Sequence, residues 1–373
     1  MTRRFDDLTA ALGGDPSTVR FVRAPGRVNL MGYHTDYNDG LVLPLAIDRD
    51  CVIAYRPDET GRVRVRSSEL DGAIDVAADG TAEPMSVEPT WGRFVAGAVA
   101  ALADRGALVP GFDAVLSSTV PAGAGLSSSS ALAVALVLAM TDTAGVPTPA
   151  PVDAARTALD AEVRATGVPG GLMDQLTSLL GQAGCALRID CRSFTAEPVP
   201  LPATIAVLVV HSGRARTLAG SEYAARRAAC EAAAGRLGIT ALRDATLDQV
   251  RDDPIARHVV TENQRVQETA DALRSDDRTT LTRLLLASHA SLRDDYRVST
   301  PELDTLVEAL VDAGAFGARL TGAGFGGCVV ALTARDDVER VASRATASYR
   351  TATGLEPLAF PVHAVAGAGP VVP

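Results

Sequence analysis

The first third of the chain shows short apolar runs separated by polar turns, a pattern typical of strands. Residues 28–31 and 41–47 are apolar and flank a polar stretch that contains Asn-Asp-Gly, which predicts two strands joined by a loop. Residues 62–67 alternate valine with arginine, as a half-exposed strand does. Two further strands are expected at residues 112–118 and 205–210.

Longer segments with helical character occupy much of the remaining chain. Residues 127–143 are almost uniformly apolar after their first serines, which indicates a buried helix. A proline-rich stretch at 197–202 marks the expected boundary between two domains, 1–197 and 198–373. We therefore predict a two-domain α+β chain. The other expected elements are helices at 91–103, 151–166, 219–236, 255–273, 278–290 and 301–313, a glycine-rich loop at 322–327 and a strand at 328–332.

Composition narrows the possible functions. The 373 residues carry a formal net charge of −10 without a basic block, which argues against nucleic acid or an anionic membrane as the main partner. All 35 basic residues are arginine. A Walker A loop, a protein kinase and a pyridoxal enzyme each need a lysine, so these three classes are excluded. ATP can still bind, because backbone N–H groups can hold its phosphates.

Cysteine usage and hydropathy indicate the compartment. Five scattered cysteines without a CxxC pair indicate neither a disulfide framework nor a zinc site. The N-terminal stretch lacks the apolar core of a signal peptide, and the most apolar run, residues 131–140, is shorter than the ~20 residues of a bilayer span. We therefore expect a cytoplasmic protein, either a monomer or a weak homo-oligomer.

Residues 121–130, with the sequence PAGAGLSSSS, lie between a predicted strand and a predicted helix. Glycines let the backbone approach an anion closely, and the serines would open the helix at its positive dipole end, where N–H groups are free. A glycine turn with a serine N-cap would need one serine, and four in succession exceed that need. The segment therefore favours phosphate binding, with hydroxyls available for Mg²⁺.

Three other segments combine glycines with polar side chains. Residues 26–38, GRVNLMGYHTDYN, suit a polyol site, although a turn capped by Asp36 and Asn38 would explain them as well. Residues 321–328, TGAGFGGC, permit close backbone approach to a ligand or to another part of the chain. Two glycines precede Asp174, which suggests a partly buried carboxylate that requires a partner, though a helix N-cap would also account for it.

Together and in this order, these segments resemble the GHMP small-molecule kinases, and within them the galactokinase family. The family typically shows GRVNLIGEHTDYN, PxGAGLSSSAS, GxMDQ and GxGFGGC, which stand here at residues 26–38, 121–130, 171–175 and 322–328. Residues 221–227, SEYAARR, look like the family's SEYxxRR. The resemblance covers nearly the whole chain. It implies an N-terminal domain like ribosomal protein S5 and a C-terminal α/β sandwich domain.

The resemblance also implies a reaction, the transfer of the γ-phosphoryl group of ATP to the C1 hydroxyl of a galactose-type sugar. Asp174 matches the family's general base, and Arg27 matches the arginine that orients it and keeps it ionised. Ser129 and Glu162 match the Mg²⁺ ligands. The positions that would wrap the triphosphate are Gly123, Ala124, Gly125, Leu126, Ser127, Ser128 and Ser129.

One departure from the family concerns the sugar. Tyr33 replaces the family's glutamate, which is thought to accept a hydrogen bond from the 6-hydroxyl in galactokinases. Losing such a contact can cost ~1–3 kcal/mol, so L-arabinose and galacturonate become alternatives to galactose. Residues 213–218 also lack the Arg-His pair expected before Leu218. The positions that match sugar contacts are Tyr33, His34, Thr35, Asp36, Gly171 and Tyr223.

Two other functions are weighed against the sugar kinase. A non-catalytic sensor that binds ATP and sugar would have lost a catalytic group, whereas Asp174, Arg27, Ser129 and Glu162 are all present. Another GHMP kinase, acting on mevalonate or homoserine, is disfavoured by residues 34–38, because those substrates lack the vicinal hydroxyls that this loop would bind.

Overall fold

The computed structural model describes residues 2–214 and 219–372, and its helices and strands form two halves. The predicted α+β architecture is confirmed. The first half contains β1 (Arg20–Asn29), β2 (Leu41–Val42), β3 (Pro44–Pro57), β4 (Arg62–Ser67), β5 (Ala73–Ala77), β6 (Phe112–Ser118), β7 (Cys185–Asp190), β8 (Thr195–Pro200), α1 (Thr2–Leu12), α2 (Arg93–Ala103), α3 (Ser128–Thr143), α4 (Pro151–Thr166) and α5 (Met173–Leu180). The second half contains β9 (Ile205–His211), β10 (Gly317–Thr321), β11 (Cys328–Ala334), β12 (Leu358–Val362), α6 (Ala219–Leu237), α7 (Pro254–Arg274), α8 (Arg278–Asp294), α9 (Pro301–Ala313) and α10 (Val338–Thr353). The last strand, β13 (Gly369–Pro370), returns to the first half and pairs with β1.

The main sheet of the first half has the strand order β13-β1-β3-β6-β4-β5. Its long antiparallel pair, β1 and β3, shifts register between Pro25 and Arg27, so the strand is irregular where it carries the arginine. Residues of α2, α3 and α4 share one apolar core with the sheet, and α1 packs on a separate cluster with β1, β3 and β6. Residues 121–130, here called the serine-rich loop, therefore follow β6 and run into α3, which is buried in the core.

The second half is built on an antiparallel sheet with the order β10-β11-β9-β12. Both faces of its strands are apolar and pack against helices, and one of the two faces also packs against the first half. The shared core includes Val28 and Leu30 from the first half and Val207, Val209 and Val330 from the second. A continuous apolar interface therefore fixes the two halves beside each other.

The expected domain boundary coincides with β8, which forms the edge of a small sheet of order β2-β7-β8. Pro198 and Pro200 lie opposite Leu187 and Cys185 of β7. Proline is tolerated on an edge strand, because the missing N–H group can lie on the unpaired side. The division into residues 1–197 and 198–373 stays a prediction.

Residues 363–371, here called the return segment, cross back from the second half to the first. The Val365 amide donates to the Ala46 carbonyl at 3.0 Å, and the Val371 amide donates to the Phe21 carbonyl at 3.0 Å. Between them, the Ala368 amide donates to the Ser178 carbonyl of α5 at 2.7 Å. Within residues 2–214 and 219–372, no helix has both the length and the apolar character that crossing a bilayer requires.

Candidate active site

A cavity of about 350 Å³ opens where the two halves meet. The end of β1, the loop that follows it, the serine-rich loop, the start of α5 and the glycine-rich loop all contribute to its walls. Segments that are far apart in the sequence therefore converge at one place. The predicted site residues that line it are Arg27, Tyr33, His34, Asp36, Gly123, Gly125, Ser127, Ser128, Ser129, Glu162, Gly171, Asp174 and Tyr223.

Arg27 and Asp174 form a two-pronged ion pair at the cavity wall. The Arg27 Nε donates to Oδ1 of Asp174 at 2.7 Å and Nη2 donates to Oδ2 at 2.6 Å, while Nη1 donates to the Gly125 carbonyl at 2.6 Å. The Arg27 side chain is 7% exposed and that of Asp174 is 24% exposed. Burial opposes the charge of Arg27, but the Asp174 carboxylate outweighs burial and raises the Arg27 pKa. The pair presents a fixed carboxylate to the cavity.

The serine-rich loop packs tightly against β1. A Cβ at Gly26 would lie 2.7 Å from the Leu126 carbonyl oxygen, so glycine is needed for this approach. The Ser127 hydroxyl donates to the Asp174 carboxylate, and α3 begins at the next residue. Because the first N–H groups of a helix have no acceptor in the helix, this wall can hold an anion. Ala124 and Leu126 are buried in the core and can contact a ligand through their backbone alone.

Glu162 lies on α4 beside the serine-rich loop. Its Oε2 accepts hydrogen bonds of 2.8 Å from Ser130 Oγ and of 2.8 Å from Gln175 Nε2. Burial raises the Glu162 pKa, although a hydrogen bond from Ser129 opposes this change. A nearby cation would favour the ionised form, so Glu162 and Ser129 fit a Mg²⁺ ion bound mainly by phosphate oxygens. In the described part of the chain, no cluster of three or more His, Cys, Asp or Glu side chains could hold a metal unaided.

The loop after β1 contributes a neutral aromatic wall. The His34 ring lies 4.7 Å from the Tyr296 ring and 5.6 Å from the Tyr223 ring, centroid to centroid, and its Nδ1 is 2.8 Å from the Tyr37 hydroxyl. Burial lowers the His34 pKa to about 3, so the imidazole is neutral near pH 7. Its Nε2 has no well-aligned hydrogen-bond partner among the described residues. This wall offers a ligand aromatic faces and an uncharged polar atom.

Asp36 is a further carboxylate that lines the cavity, besides Asp174 and Glu162. A Cβ at Gly171 would lie 1.9 Å from Oδ2 of Asp36, so the loop before α5 can approach Asp36 only as glycine. Burial, and after it the negative charge of Asp174, raises the Asp36 pKa to about 6. Asp36 therefore changes its charge close to neutral pH.

Two predicted sugar contacts are engaged within the protein. Thr35 is buried away from the cavity, and its hydroxyl donates to the Leu41 carbonyl at 2.7 Å. The Tyr33 hydroxyl accepts a hydrogen bond of 2.7 Å from the Gly322 amide and is also bonded to Thr321 Oγ1. Tyr33 reaches the cavity, but its hydroxyl is occupied by the glycine-rich loop.

A second cavity, of about 720 Å³, adjoins the first at Ser128 and Ser129. Trp91, Phe94 and Leu132 give it apolar walls, and the Trp91 indole N–H donates to the Asp71 carbonyl at 3.1 Å. Sequence reasoning missed this pocket, because apolar residues of two helices carry no motif. The signal that could have marked it is the chain's one tryptophan, at the start of a predicted helix beside the serine-rich loop.

Other functional candidates were also missed or cannot be placed. Gln175 lies inside a recognised motif, yet its contact with Glu162 becomes visible only in the structure. Tyr296, which is fully buried, packs against the His34 ring of the aromatic wall and comes from a region without any motif. Of the departure noted at residues 213–218, positions 215–218 lie outside the described residues.

Comparison with known proteins defines the class first. The family model for the GHMP kinases N terminal domain matches residues 93–182, and the model for the GHMP kinases C terminal region matches residues 269–351. The mevalonate kinase of Methanococcus jannaschii shares the fold, with a TM-score of 0.66 and 17% identity over 92% of this chain and 98% of that chain. The molecule is thus a small-molecule kinase of the GHMP class.

Closer similarities narrow that class. The model for the galactokinase galactose-binding signature matches residues 9–57. A galactokinase from Roseiflexus sp. (strain RS-1) is 44% identical over 366 residues, which cover 94% of this chain and 93% of that protein. The crystal structure of Lactococcus lactis galactokinase complexed with galactose superposes with a TM-score of 0.91 at 30% identity, covering 99% of both chains. The chain belongs to the galactokinase family.

Proposed function

We propose that this protein transfers the γ-phosphoryl group of ATP to the C1 hydroxyl of galactose. The observation that carries the proposal is the Arg27–Asp174 pair, which faces a cavity between an anion-binding helix start and a neutral aromatic wall. Family membership supports ATP as the phosphoryl donor. The relatives named above, one of them a galactokinase complexed with galactose, support the sugar.

The residues at the cavity have separate roles in this reaction. Asp174 accepts the hydrogen bond of the attacking sugar hydroxyl and takes its proton as the new O–P bond forms and the bond from the γ-phosphorus to the bridging oxygen breaks. Arg27 keeps Asp174 in position through two hydrogen bonds and places a positive charge beside the carboxylate. Because phosphoryl transfer depends on positioning and on neutralising charge, a strong base is not required. His34, Asp36 and Tyr223 contact the sugar hydroxyls.

The triphosphate lies along residues 123–129, where the first N–H groups of α3 and the hydroxyls of Ser128 and Ser129 bind it. Ser129 and Glu162 would hold a Mg²⁺ ion, which when bound neutralises charge on the phosphate oxygens.

The nucleoside of ATP occupies the second cavity, between Trp91 and Leu132. Its volume of about 720 Å³ and its apolar walls suit a planar base. Replacing Trp91 by Ala should raise the KM for ATP about tenfold, because one aromatic wall is lost, while the KM for galactose changes less than twofold. Steady-state kinetics with each substrate varied in turn would measure both. A shift in the galactose KM alone would contradict this placement.

No observation favours the other functions considered. The Tyr33 hydroxyl is already bonded to Thr321 and Gly322, so it is not placed to donate to the carboxylate of galacturonate. A non-catalytic sensor would have lost a catalytic group, whereas Asp174, Arg27, Ser129 and Glu162 all line the cavity. We further propose that the enzyme acts in the cytoplasm as a monomer or weak homo-oligomer, without nucleic acid or membrane partners, as its net charge of −10 suggests.

The proposed activity can be tested with the purified protein, ATP and Mg²⁺. Galactose should release ADP and yield a sugar phosphorylated at C1, identified by ³¹P and ¹H NMR. The kcat/KM for galactose should exceed those for L-arabinose and galacturonate by more than tenfold. If either of these sugars gives the higher kcat/KM, or none releases ADP, the proposal is wrong.

A further inference from the structure

Tyr33 is buried between the two halves of the molecule, with 3% of its surface exposed. Its ring packs on the Arg319 guanidinium, whose Cζ lies 4.3 Å from the ring centroid. Its own amide donates to Glu262 Oε1 at 3.4 Å, and its carbonyl lies 3.1 Å from His258 Nε2. These contacts therefore hold both the backbone and the ring of Tyr33 in place.

The backbone of the glycine-rich loop, residues 322–327, does not by itself determine the conformation of the loop. Gly322, Gly324, Phe325, Gly326 and Gly327 all have positive φ, and the loop lacks the regular hydrogen bonds of a helix or sheet. A chain of this kind has many accessible conformations, so contacts to its surroundings must select one.

Such contacts occur at each part of the loop. The Phe325 amide donates to the Val298 carbonyl at 2.8 Å, and the Gly327 carbonyl accepts from the Ser212 amide at 2.9 Å. At the start of the loop, the Gly322 amide donates to the Tyr33 hydroxyl at 2.7 Å. The residues next to this bond, Gly322 and Ala323, line the same cavity as Asp174.

We propose that Tyr33 is a positioning residue whose hydroxyl fixes the start of the glycine-rich loop and thereby sets the shape of the sugar end of the cavity. Tyr33 acts through Gly322 and Thr321 and not by donating to the sugar. The effect on sugar turnover rests on the proposed function, whereas the effect on the loop does not. In this chain, a tyrosine joins the loop after β1 to the loop after β10, which come from different halves of the molecule.

Replacing Tyr33 by Phe removes the hydroxyl and keeps the ring on Arg319. We expect hydrogen exchange of the Gly322 amide, followed by mass spectrometry or NMR, to become at least tenfold faster. We also expect kcat/KM for galactose to fall about tenfold, mainly through KM, because the cavity wall becomes mobile while Arg27 and Asp174 are unchanged. Exchange that matches the wild type would overturn the proposal.

Two sets of variants separate positioning from a general loss of stability. Tyr55→Phe is the matched control, because Tyr55 is equally buried and its hydroxyl donates to Asp142 at 2.7 Å, in the first half of the molecule. It should leave loop exchange and kcat/KM unchanged. Thr321→Val should raise the exchange rate of the Gly322 amide and lower kcat/KM for galactose, as Tyr33→Phe does. Thr321→Ser keeps a hydroxyl and should match the wild type in both measurements. Equal effects of Tyr55→Phe and Tyr33→Phe on the loop would contradict the proposal.

The two readouts also separate this proposal from the proposed function. If the wild-type protein does not phosphorylate galactose, the proposed function fails, and the exchange measurement still tests Tyr33. If the wild type is active and Tyr33→Phe keeps wild-type kcat/KM, the proposed function stands and the positioning role fails.

Discussion

Two arginine–carboxylate pairs lie close to the cavity, and they differ in what they can do. Arg27 and Asp174 share two short hydrogen bonds, and the aspartate is 24% exposed toward the cavity. Arg319 and Glu262 are both fully buried, and their closest approach is 3.3 Å. The first pair keeps a carboxylate available to a ligand, whereas the second is sealed inside the protein.

The remaining partners of each carboxylate explain the difference. Glu262 also accepts hydrogen bonds from Arg265, Ser288 and the Gly32 amide. Burial alone would raise the Glu262 pKa, but Arg265 and Arg319 outweigh it and hold that pKa well below its usual range. Glu262 thus has no capacity left for a ligand and fixes the loop after β1. An arginine–carboxylate pair is thus available to a ligand where the carboxylate is exposed, and it stabilises the fold where both side chains are buried.

The largest expected effect comes from Asp174→Asn. The amide cannot take the proton of the sugar hydroxyl, so kcat should fall about 10³-fold, while the melting temperature changes by a few degrees at most. Single-turnover kinetics and calorimetry would measure the two quantities. Turnover near the wild-type rate would mean that the exposed pair is not catalytic.

The sealed pair should respond in the opposite way. Glu262→Gln leaves Arg319 buried without a charge partner, so the free energy of unfolding should fall by about 3–5 kcal/mol. The protein that remains folded should keep kcat within a few-fold of the wild type. Glu268→Gln is the control, since Glu268 pairs with Arg283 at the surface and its loss should cost less than about 1 kcal/mol. Denaturant unfolding would distinguish the two variants.

Arg27→Lys would show how much the two-pronged geometry matters. Lysine keeps the positive charge but cannot donate to both oxygens of Asp174 and to the Gly125 carbonyl together. We expect kcat/KM to fall about 10²-fold with little change in stability. A variant with wild-type kcat/KM would show that charge alone is sufficient at this position.

The smallest expected effect is a pH dependence of kcat/KM that arises at the cavity and not at the buried Arg319–Glu262 pair. Ionised Asp36 accepts hydrogen bonds from hydroxyls with both oxygens and more strongly than the protonated acid does, and its pKa is raised to about 6. Its protonation should therefore lower kcat/KM for galactose as pH falls through 6, by about tenfold at pH 5. Asp36→Asn should have a lower and flat profile in this range. Glu262 stays ionised there because its pKa is lowered, so the sealed pair adds no inflection.

Elements with a strong local pattern could be predicted from the sequence. The strands at 62–67 and 112–118 and the helices at 151–166 and 301–313 have the expected bounds. Helix α10 was not anticipated, because it buries only a narrow stripe of Val341, Ala345 and Tyr349. The sequence predicts a domain boundary where β8 forms, because prolines that are tolerated in an edge strand also mark boundaries between domains.

The site shows the same difference between residues that belong to a local motif and residues that do not. Motifs identified most of the residues that meet at the first cavity. Thr35, whose hydroxyl closes its own loop, and Ala124 and Leu126, which are buried in the core, are the predicted residues that do not line it. The apolar helix residues Phe94 and Leu132 of the second cavity and the Arg319–Glu262 pair belong to no motif. Their roles arise from convergence of distant segments, which neither composition nor periodicity encodes.

The return segment gives the far end of the sequence an influence on catalysis. It holds the last turn of α5 through Ser178 and Gly181, and the Ser178 hydroxyl donates to the Pro25 carbonyl of the strand that carries Arg27. The helix that presents Asp174 is thus held at its opposite end by residues that follow β12, the last strand of the second sheet. We therefore expect these contacts to form only after the return segment has left the ribosome, and we expect trimming of this segment to lower activity although it does not line the cavity.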